Sequence, residues 1–104
     1  MNDERAQILA QLLEADPRDT FSRFALGLEL WQQQPELALQ HFETILSYDQ
    51  NYVPAYFQLG RLLAEQGQLD KARGWIERGI EIAEQVGDHH ALGEMQDFLN
   101  DLDL

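Results

Sequence analysis

The sequence of 104 residues predicts an all-α protein of about six antiparallel helices. Its apolar residues recur at helical spacing, for example at positions 37, 38, 39, 42, 45 and 46. β-Branched residues, which favour strands, are sparse along the chain. Dipeptides such as Asp16-Pro17 and Gln34-Pro35 interrupt the pattern, because proline cannot continue a helical hydrogen-bond ladder. The connections are short, so consecutive helices are expected to pack antiparallel.

Residues typical of helix ends bound the predicted helices. Pro54 falls in the first turn of one helix, where its missing N–H costs little, and Asn51 is a candidate N-cap for the same helix. Gly67 and Gly87 lie where a left-handed residue would end a helix, and Asp88 is a candidate cap for the last one. The pattern predicts helices over residues 3–14, 20–33, 36–47, 53–66, 69–85 and 89–102.

Composition excludes several classes of protein. The chain has 19 acidic and 7 basic residues, a net charge of −12, which argues against binding to nucleic acid or to an anionic membrane. It contains no cysteine, which excludes disulfides, thiolate metal sites and cysteine nucleophiles. Apolar runs such as 62–64 are too short to span a bilayer, and residues 1–5 lack the features of a signal peptide. We therefore expect a cytoplasmic protein.

The C-terminal segment is strongly acidic. After Gly79 it has acidic residues at positions 81, 84, 88, 94, 97, 101 and 103 and neither Lys nor Arg. One interpretation is a solvated surface that keeps a small protein soluble, and the other is a docking face for a basic partner. We favour the solvated surface, because charge runs usually lie on solvated faces. An acid-rich proteome, as in salt-adapted organisms, is a third explanation.

The sequence repeats itself with a period near 34 residues. Residues 24–27, FALG, match residues 57–60, FQLG, at an offset of 33. Residues 38–42 match residues 72–76 at an offset of 34, because the turn of the first copy is one residue shorter. A period near 34 that is divided into two helices is the signature of the tetratricopeptide repeat.

Residues 53–82 resemble the tetratricopeptide repeat pattern in detail. The pattern has an aromatic residue, then Leu-Gly, a large residue, a glycine at the turn, and a small and a large residue in the second helix. The matching residues are Tyr56, Leu59, Gly60, Leu63, Gly67, Ala72 and Ile76. We expect Gly60 and Ala72 to be small because the paired helices approach closely there.

The resemblance covers nearly the whole chain and implies a single domain, residues 1–104, of right-handed helical hairpins that form a solenoid. The expected parts are an N-terminal half-repeat helix, two repeats and a C-terminal capping helix, over residues 3–17, 20–49, 53–84 and 88–104. Terminal units of repeat proteins are atypical because they must close the core. The first repeat departs from the pattern at Arg23, where an aromatic residue is usual. The chain is similar to small stand-alone tetratricopeptide proteins of bacteria.

The resemblance also implies a protein-binding groove lined by the first helix of each repeat. The residues expected there are Phe21, Phe24, Leu28 and Trp31 from helix 20–33, and Phe57, Arg61 and Glu65 from helix 53–66. Aromatic residues and arginine are frequent binding hot spots. For Phe21 and Phe24 a second interpretation is equally open, in which the N-terminal helix covers both rings. We favour binding for Phe57 and Arg61, with Phe57 projecting away from the paired helix.

No catalytic or cofactor motif occurs in the sequence. His89 and His90 diverge on a helix, and His90 with Glu94 is only a weak metal candidate. A clamp for a C-terminal carboxylate, found in some tetratricopeptide domains, is not expected, because Arg61 is the one suitable residue. We predict no enzyme activity, no cofactor and no metal.

The predicted function is a protein-interaction module, an adaptor or a chaperone-like subunit that binds a peptide or helical segment of another protein. The alternative is a structural repeat protein whose aromatic patch binds a second copy of the chain. Measuring the size of the protein across concentrations distinguishes the two.

Overall fold

The computed structural model describes residues 3–102, and its helices follow the sequence prediction. They are α1 (Asp3–Ala15), α2 (Thr20–Leu30), α3 (Pro35–Tyr48), α4 (Val53–Glu65), α5 (Leu69–Val86) and α6 (His89–Leu102). Residues 3–102 contain no strand. The all-α prediction is confirmed. The ends of the predicted capping segment and of the acidic run, at residues 103 and 104, lie outside the described residues.

One helix is shorter than predicted. The apolar pattern predicts a helix to residue 33, but α2 ends at Leu30 and residues 31–33 form a turn. The amide of Gln34 donates to the carbonyl of Leu30 at 2.8 Å. Gln34 then leaves helical geometry, with φ −135° and ψ 66°, because it precedes Pro35 at the start of α3. The local restriction from proline therefore outweighs the periodicity.

Side-chain caps hold the starts of α2 and α6. The Asp19 carboxylate accepts hydrogen bonds from the Ser22 amide at 3.1 Å and from the Ser22 hydroxyl at 2.7 Å. These two bonds lower the pKa of Asp19 below its usual value. Asp88 accepts from the Ala91 amide at 3.1 Å, so its predicted capping role is confirmed.

The sequence predicts the glycine that follows α4 correctly but not the N-cap of this helix. Asn51 is not the N-cap, because the cap position is Tyr52 and no side chain bonds to the helix start there. Gly67, directly after α4, has φ +80°, and Gly87, after α5, has φ +78°. Both glycines therefore adopt the left-handed conformation that the sequence predicts.

The helices form two compact units. Unit 1, Met1–Asp49, contains α1, α2 and α3, and unit 2, Gln50–Leu104, contains α4, α5 and α6. In unit 1, α2 packs against both α1 and α3. In unit 2, α5 packs against α4 and α6, and α6 also contacts α4. Each unit is thus a helical hairpin with one further helix.

In unit 2, α4 approaches α5 closely at Gly60. A Cβ atom at Gly60 would overlap the Ile76 side chain of α5, so a larger residue cannot fit without displacing it. Ala72, also on α5, is fully buried. The expectation that Gly60 and Ala72 are small because α4 and α5 approach closely is confirmed. The buried cluster of this unit consists of Val53, Ile76, Ala83 and Met95.

Unit 1 has an equivalent close contact between α2 and α3, at Gly27, where the large side chain is a phenylalanine. A Cβ atom at Gly27 would lie 2.6 Å from the Phe42 ring, which is fully buried. On the other side of α2, Leu26 packs with Leu9 and Leu13 of α1. Gly27 therefore contacts α3, and Leu26 contacts α1.

Candidate functional site

The side of α2 that carries Phe21, Phe24 and Leu28, called here the α2 face, leaves large apolar side chains uncovered. These residues follow helical spacing, so they lie on one side of the helix. Phe21 is 74% exposed and Leu28 is 43% exposed. Phe24 is half-buried, with its ring 5.4 Å from the Phe42 ring of α3. Phe21 does not fill the core, whereas Phe24 contacts both the core and the surface.

Trp31, the last residue predicted for this side of helix 20–33, lies directly after the end of α2. It is the C-cap of α2 and begins the turn that follows, because the helix ends at Leu30. Its side chain is half-buried. Trp31 therefore belongs to the turn that follows the helix of the α2 face.

The corresponding side of α4, called here the α4 face, consists of Phe57, Arg61 and Glu65. The Arg61 guanidinium carbon lies 5.6 Å from the centroid of the Phe57 ring, a cation–π geometry. The Phe57 ring also meets Phe98 of α6 edge to face, with centroids 5.7 Å apart and an interplanar angle of 82°. Arg61 and Glu65 are exposed, whereas Phe57 is half-buried.

The sequence predicts that Phe57 projects away from the paired helix. In the structure its half-buried ring packs against the buried cluster of unit 2. Phe98, its partner on α6, lies in the segment that the sequence predicts as the C-terminal capping helix. The structure brings the two rings together because α6 contacts α4 as well as α5.

Arg23, the departure from the repeat pattern, forms a polar pair inside unit 1. Its Nη1 lies 3.0 Å from Nδ1 of His41 on α3, and its Nη2 donates to the carbonyl of Pro17 at 2.9 Å. Burial lowers the pKa of His41 below 6.5, and the Arg23 charge lowers it further. Sequence reasoning found Arg23 as an anomaly but not its partner, which is 18 residues away.

The described residues show little that would support metal chemistry. Within residues 3–102, no three His, Asp or Glu side chains are grouped closely enough to hold a metal ion. His90 and Glu94 lie 3.6 Å apart, from Nε2 to Oε1, and both are exposed. No helix among these residues combines the length and apolar character that crossing a membrane requires.

The paired helices and the small residues at their contacts define a helical-hairpin repeat protein. The family model described as tetratricopeptide repeat matches residues 30–94. The solution structure of a tetratricopeptide repeat domain protein from Salinibacter ruber is 34% identical, over 84% of this chain and 89% of that one, with a TM-score of 0.79. The chain therefore belongs to the tetratricopeptide repeat family.

Two further solved structures agree. A crystal structure of a tetratricopeptide repeat domain protein from Salinibacter ruber is 32% identical, over 82% of this chain and 96% of that one, with a TM-score of 0.76. A protein from Bordetella parapertussis is 31% identical, over 94% of this chain and 86% of that one, with a TM-score of 0.82. No curated protein matches the chain. The tetratricopeptide fold generally mediates protein–protein interaction and is generally a non-catalytic scaffold.

Proposed function

We propose that the protein is an interaction module, an adaptor or chaperone-like subunit, that binds a peptide or helical segment of a partner protein. The observation that carries the proposal is the 74% exposure of Phe21 beside the exposed Leu28 on the α2 face. Family membership supports the same conclusion, because the fold generally serves protein binding. Absence of catalysis and a cytoplasmic location stay predictions from the sequence.

The α2 face has the chemistry of an apolar anchor site. A phenylalanine left in water forgoes the roughly 1.5–3 kcal/mol that full burial of a large apolar side chain would contribute. Its side chain has few rotatable bonds, so ordering it on binding costs little entropy. Leu28 lies two turns along the helix, and Phe24 lies between them with its ring supported by Phe42. A partner helix or strand with apolar side chains would cover this stripe.

The α4 face offers a different chemistry. Its aromatic ring is already fixed by Phe98, and the exposed Arg61 guanidinium lies over the same ring. A fixed ring with a cation above it suits a partner segment that carries both an apolar and an acidic side chain. The face therefore adds charge selectivity that the α2 face lacks.

The test begins by identifying the partner with a photoreactive phenylalanine analogue at position 21. The same analogue at Val86, which is 47% exposed but lies on α5, is the control for non-specific capture. The captured partner is then titrated against Phe21→Ala and Val86→Ala. We expect Phe21→Ala to weaken binding by about 1–3 kcal/mol and Val86→Ala to leave it unchanged. Equal affinities for Phe21→Ala and the wild type would exclude the α2 face.

The same exposed stripe supports the second candidate function, association of two copies of this chain. Sedimentation velocity across concentrations distinguishes the candidates. A mass that rises with concentration, and that Phe21→Ala returns to that of a single chain, identifies a second copy as the partner. A constant mass leaves a different protein as the occupant of the α2 face.

The acidic surface of α6 is the competing binding surface. Asp97 and Asp101 are exposed and lie one turn apart. If a basic partner docks there, Asp97→Lys together with Asp101→Lys should reduce binding, and the loss should shrink at high salt. Loss of binding in this variant, with Phe21→Ala and Arg61→Glu still binding normally, would place the interaction on α6.

A further inference from the structure

The first half of α5 concentrates positive charge in an acidic chain. Residues 71–78 contain three of the 7 basic residues, although the chain has 19 acidic ones. Lys71 and Arg78 are exposed and lie seven residues apart, with the half-buried Trp75 between them. Residues at this spacing share one side of a helix. We call Lys71, Trp75 and Arg78 the α5 stripe.

The Arg78 guanidinium lies against two aromatic rings. Its carbon is 4.5 Å from the centroid of the Trp75 ring and 5.8 Å from that of Tyr56. Tyr56 is 2% exposed and its ring lies 6.1 Å from the Trp75 ring, so a buried tyrosine supports the indole. Stacking occupies the face of a guanidinium and leaves the N–H groups at its edge for a carboxylate.

Neither cation of the α5 stripe is neutralised by a neighbouring acid. Among the described residues, no carboxylate forms an ion pair with Lys71 or Arg78. Glu81 lies one turn after Arg78, but the Arg78 side chain extends back over the indole, as long side chains on helices do. Asp70 instead lies 3.5 Å from Arg73. Two unpaired cations in a chain of net charge −12 are a local site for an anion.

Gly74 opens the α5 stripe to a close approach. It lies one turn from both Lys71 and Arg78. Nothing lies within 4 Å of a Cβ at Gly74, whereas a Cβ at Gly79, further along α5, would lie 2.7 Å from the Tyr56 side chain. Packing therefore requires glycine at position 79 but not at position 74, where glycine only weakens the helix. The missing side chain at Gly74 lets the backbone of another chain come near the two cations.

We propose that the α5 stripe docks an acidic helix of a partner protein, with one carboxylate at Lys71, another at Arg78 and an apolar side chain against Trp75. The choice of partner rests on charge complementarity. The two cations are about 10.5 Å apart along α5, so carboxylates two turns apart on a helix match them. The net charge of −12 disfavours extended polyanions, such as nucleic acid or an anionic membrane, which meet the field of the whole chain.

This surface goes beyond the proposed function, which uses the α2 face and the α4 face. Tyr56, which supports the α5 stripe, directly precedes Phe57 of the α4 face. Neighbouring side chains on a helix diverge by about 100°, so the two surfaces lie on different sides of α4. An apolar surface on unit 1 and a basic one on unit 2 would allow an adaptor to hold two different partners.

The experiment titrates the full chain, labelled with ¹⁵N, with a synthetic helical peptide of alanine and glutamine that has two glutamates seven residues apart and a leucine between them. The matched probes replace both glutamates with glutamine or with lysine. We expect the glutamate peptide to shift the Trp75 indole N–H signal in a saturable way, and the glutamine peptide to bind roughly tenfold or more weakly. The lysine peptide should not shift this signal, although the net charge favours it.

Three variants test the assignment. Lys71→Gln together with Arg78→Gln should remove the difference between the glutamate and glutamine peptides, since only a carboxylate loses its partners. Arg18→Gln is the matched control and should bind as the wild type does. Arg18 is also exposed and lies 5.7 Å from an aromatic centroid, that of Tyr48, but it belongs to unit 1. Gly74→Leu blocks the close approach, so it should abolish the indole shift while thermal unfolding shows a folded chain.

Several results would overturn the proposal. Equal binding of the glutamate and glutamine peptides would mean that the two cations do not select carboxylates. An indole shift that survives Gly74→Leu would place the peptide elsewhere. An indole shift that appears on raising the protein concentration alone, and that Asp97→Lys with Asp101→Lys removes, would identify α6 of a second copy as the occupant. Phe21→Ala should bind the peptide as the wild type does, so failure on the α5 stripe leaves the test of the α2 face intact.

Discussion

The second hairpin, α4 with α5, is built around a buried tyrosine at the repeat position where the first hairpin, α2 with α3, has an arginine. Tyr56 is 2% exposed, its hydroxyl donates to the Gln50 carbonyl at 2.8 Å, and its ring lies 6.1 Å from that of Trp75. Arg23 is half-buried and bonds to His41 and the Pro17 carbonyl. An aromatic ring satisfies this position by packing, whereas a guanidinium needs hydrogen-bond acceptors, which His41 and the Pro17 carbonyl supply.

The turns of the two hairpins also differ, but both hairpins have the same kind of contact between their helices, a glycine against a large side chain. After α4, Gly67 adopts the left-handed conformation and the Gln68 amide donates to the Leu63 carbonyl at 2.9 Å. The shorter turn after α2 has no glycine and closes with the Gln34 amide on Leu30. Both hairpins still place a glycine, Gly27 or Gly60, against a large side chain of the partner helix. The small-to-large contact therefore tolerates the loss of one turn residue.

Exchanging the two residues at the shared repeat position should have the largest effect. Tyr56→Arg removes a buried ring and places a cation among apolar side chains, so we expect a loss of about 3–5 kcal/mol in the free energy of unfolding. Arg23→Tyr should cost less, because the position in unit 1 is half-exposed. Urea unfolding of both variants measures the difference. Equal losses would mean that the two positions do not differ in packing as the structure shows.

Overpacking the α4–α5 contact should have the next largest effect. Gly60→Leu forces Ile76 to move, which should cost about 1–3 kcal/mol or more and lower Tm by several degrees. Gly74→Leu is the matched control, because nothing lies within 4 Å of a Cβ at that position. We expect the control to unfold at the wild-type temperature or above, since leucine favours helix more than glycine does. A Gly60→Leu chain with an unchanged melting curve would contradict the pairing of α4 with α5.

Alanine substitutions of Phe21 on the α2 face and of Phe57 on the α4 face should have different effects on stability. Phe57→Ala removes a half-buried ring that contacts Phe98 and the core, so it should lower the free energy of unfolding by about 1–2 kcal/mol. Phe21→Ala removes a ring that is 74% exposed and should change it by no more than about 0.5 kcal/mol. Thermal or urea unfolding checks both. A large loss for Phe21→Ala would show that this ring stabilises the fold instead of serving a partner.

The smallest predicted effect is a dependence of stability on pH that comes from unit 1. Since the folded-state pKa of His41 is lowered, the unfolded chain binds a proton more readily than the folded chain. His41 therefore contributes stability above about pH 6.5, and this contribution is lost as the pH falls from 6.5 through the lower folded-state value.

Urea unfolding of the wild type and of His41→Gln between pH 8 and pH 5 measures this contribution. His41→Gln should flatten that part of the profile, whereas His89→Gln, at an exposed histidine of α6, should leave it unchanged. A profile that keeps its slope in His41→Gln would assign the titration to another group. The Arg23 charge adds to the lowering of the His41 pKa that burial causes, so the slope should also become shallower in Arg23→Gln.

Local patterns in the sequence were sufficient to predict the helices, the repeat and the close contacts at Gly60 and Ala72. Apolar spacing and glycine or proline positions act within a few residues, and they are read directly along the chain. The end of α2 is the informative exception. The spacing of apolar residues favours a helix to residue 33. Pro35 keeps Gln34 out of helical geometry, and α2 ends at Leu30.

The helices that carry Phe21 and Phe57 were predictable from the sequence, but the burial of these two side chains was not. Phe21 and Phe57 are both phenylalanines on the first helix of a hairpin, yet one is mostly exposed and the other packs against Phe98. The pairing of Arg23 with His41 likewise joins residues from two helices. Burial and pairing depend on which neighbouring helix covers each side chain, and those contacts exist only after α1, α3 and α6 have packed. The sequence alone thus determined the helical repeat, and the tertiary structure decided which side chains remain available to a partner or a ligand.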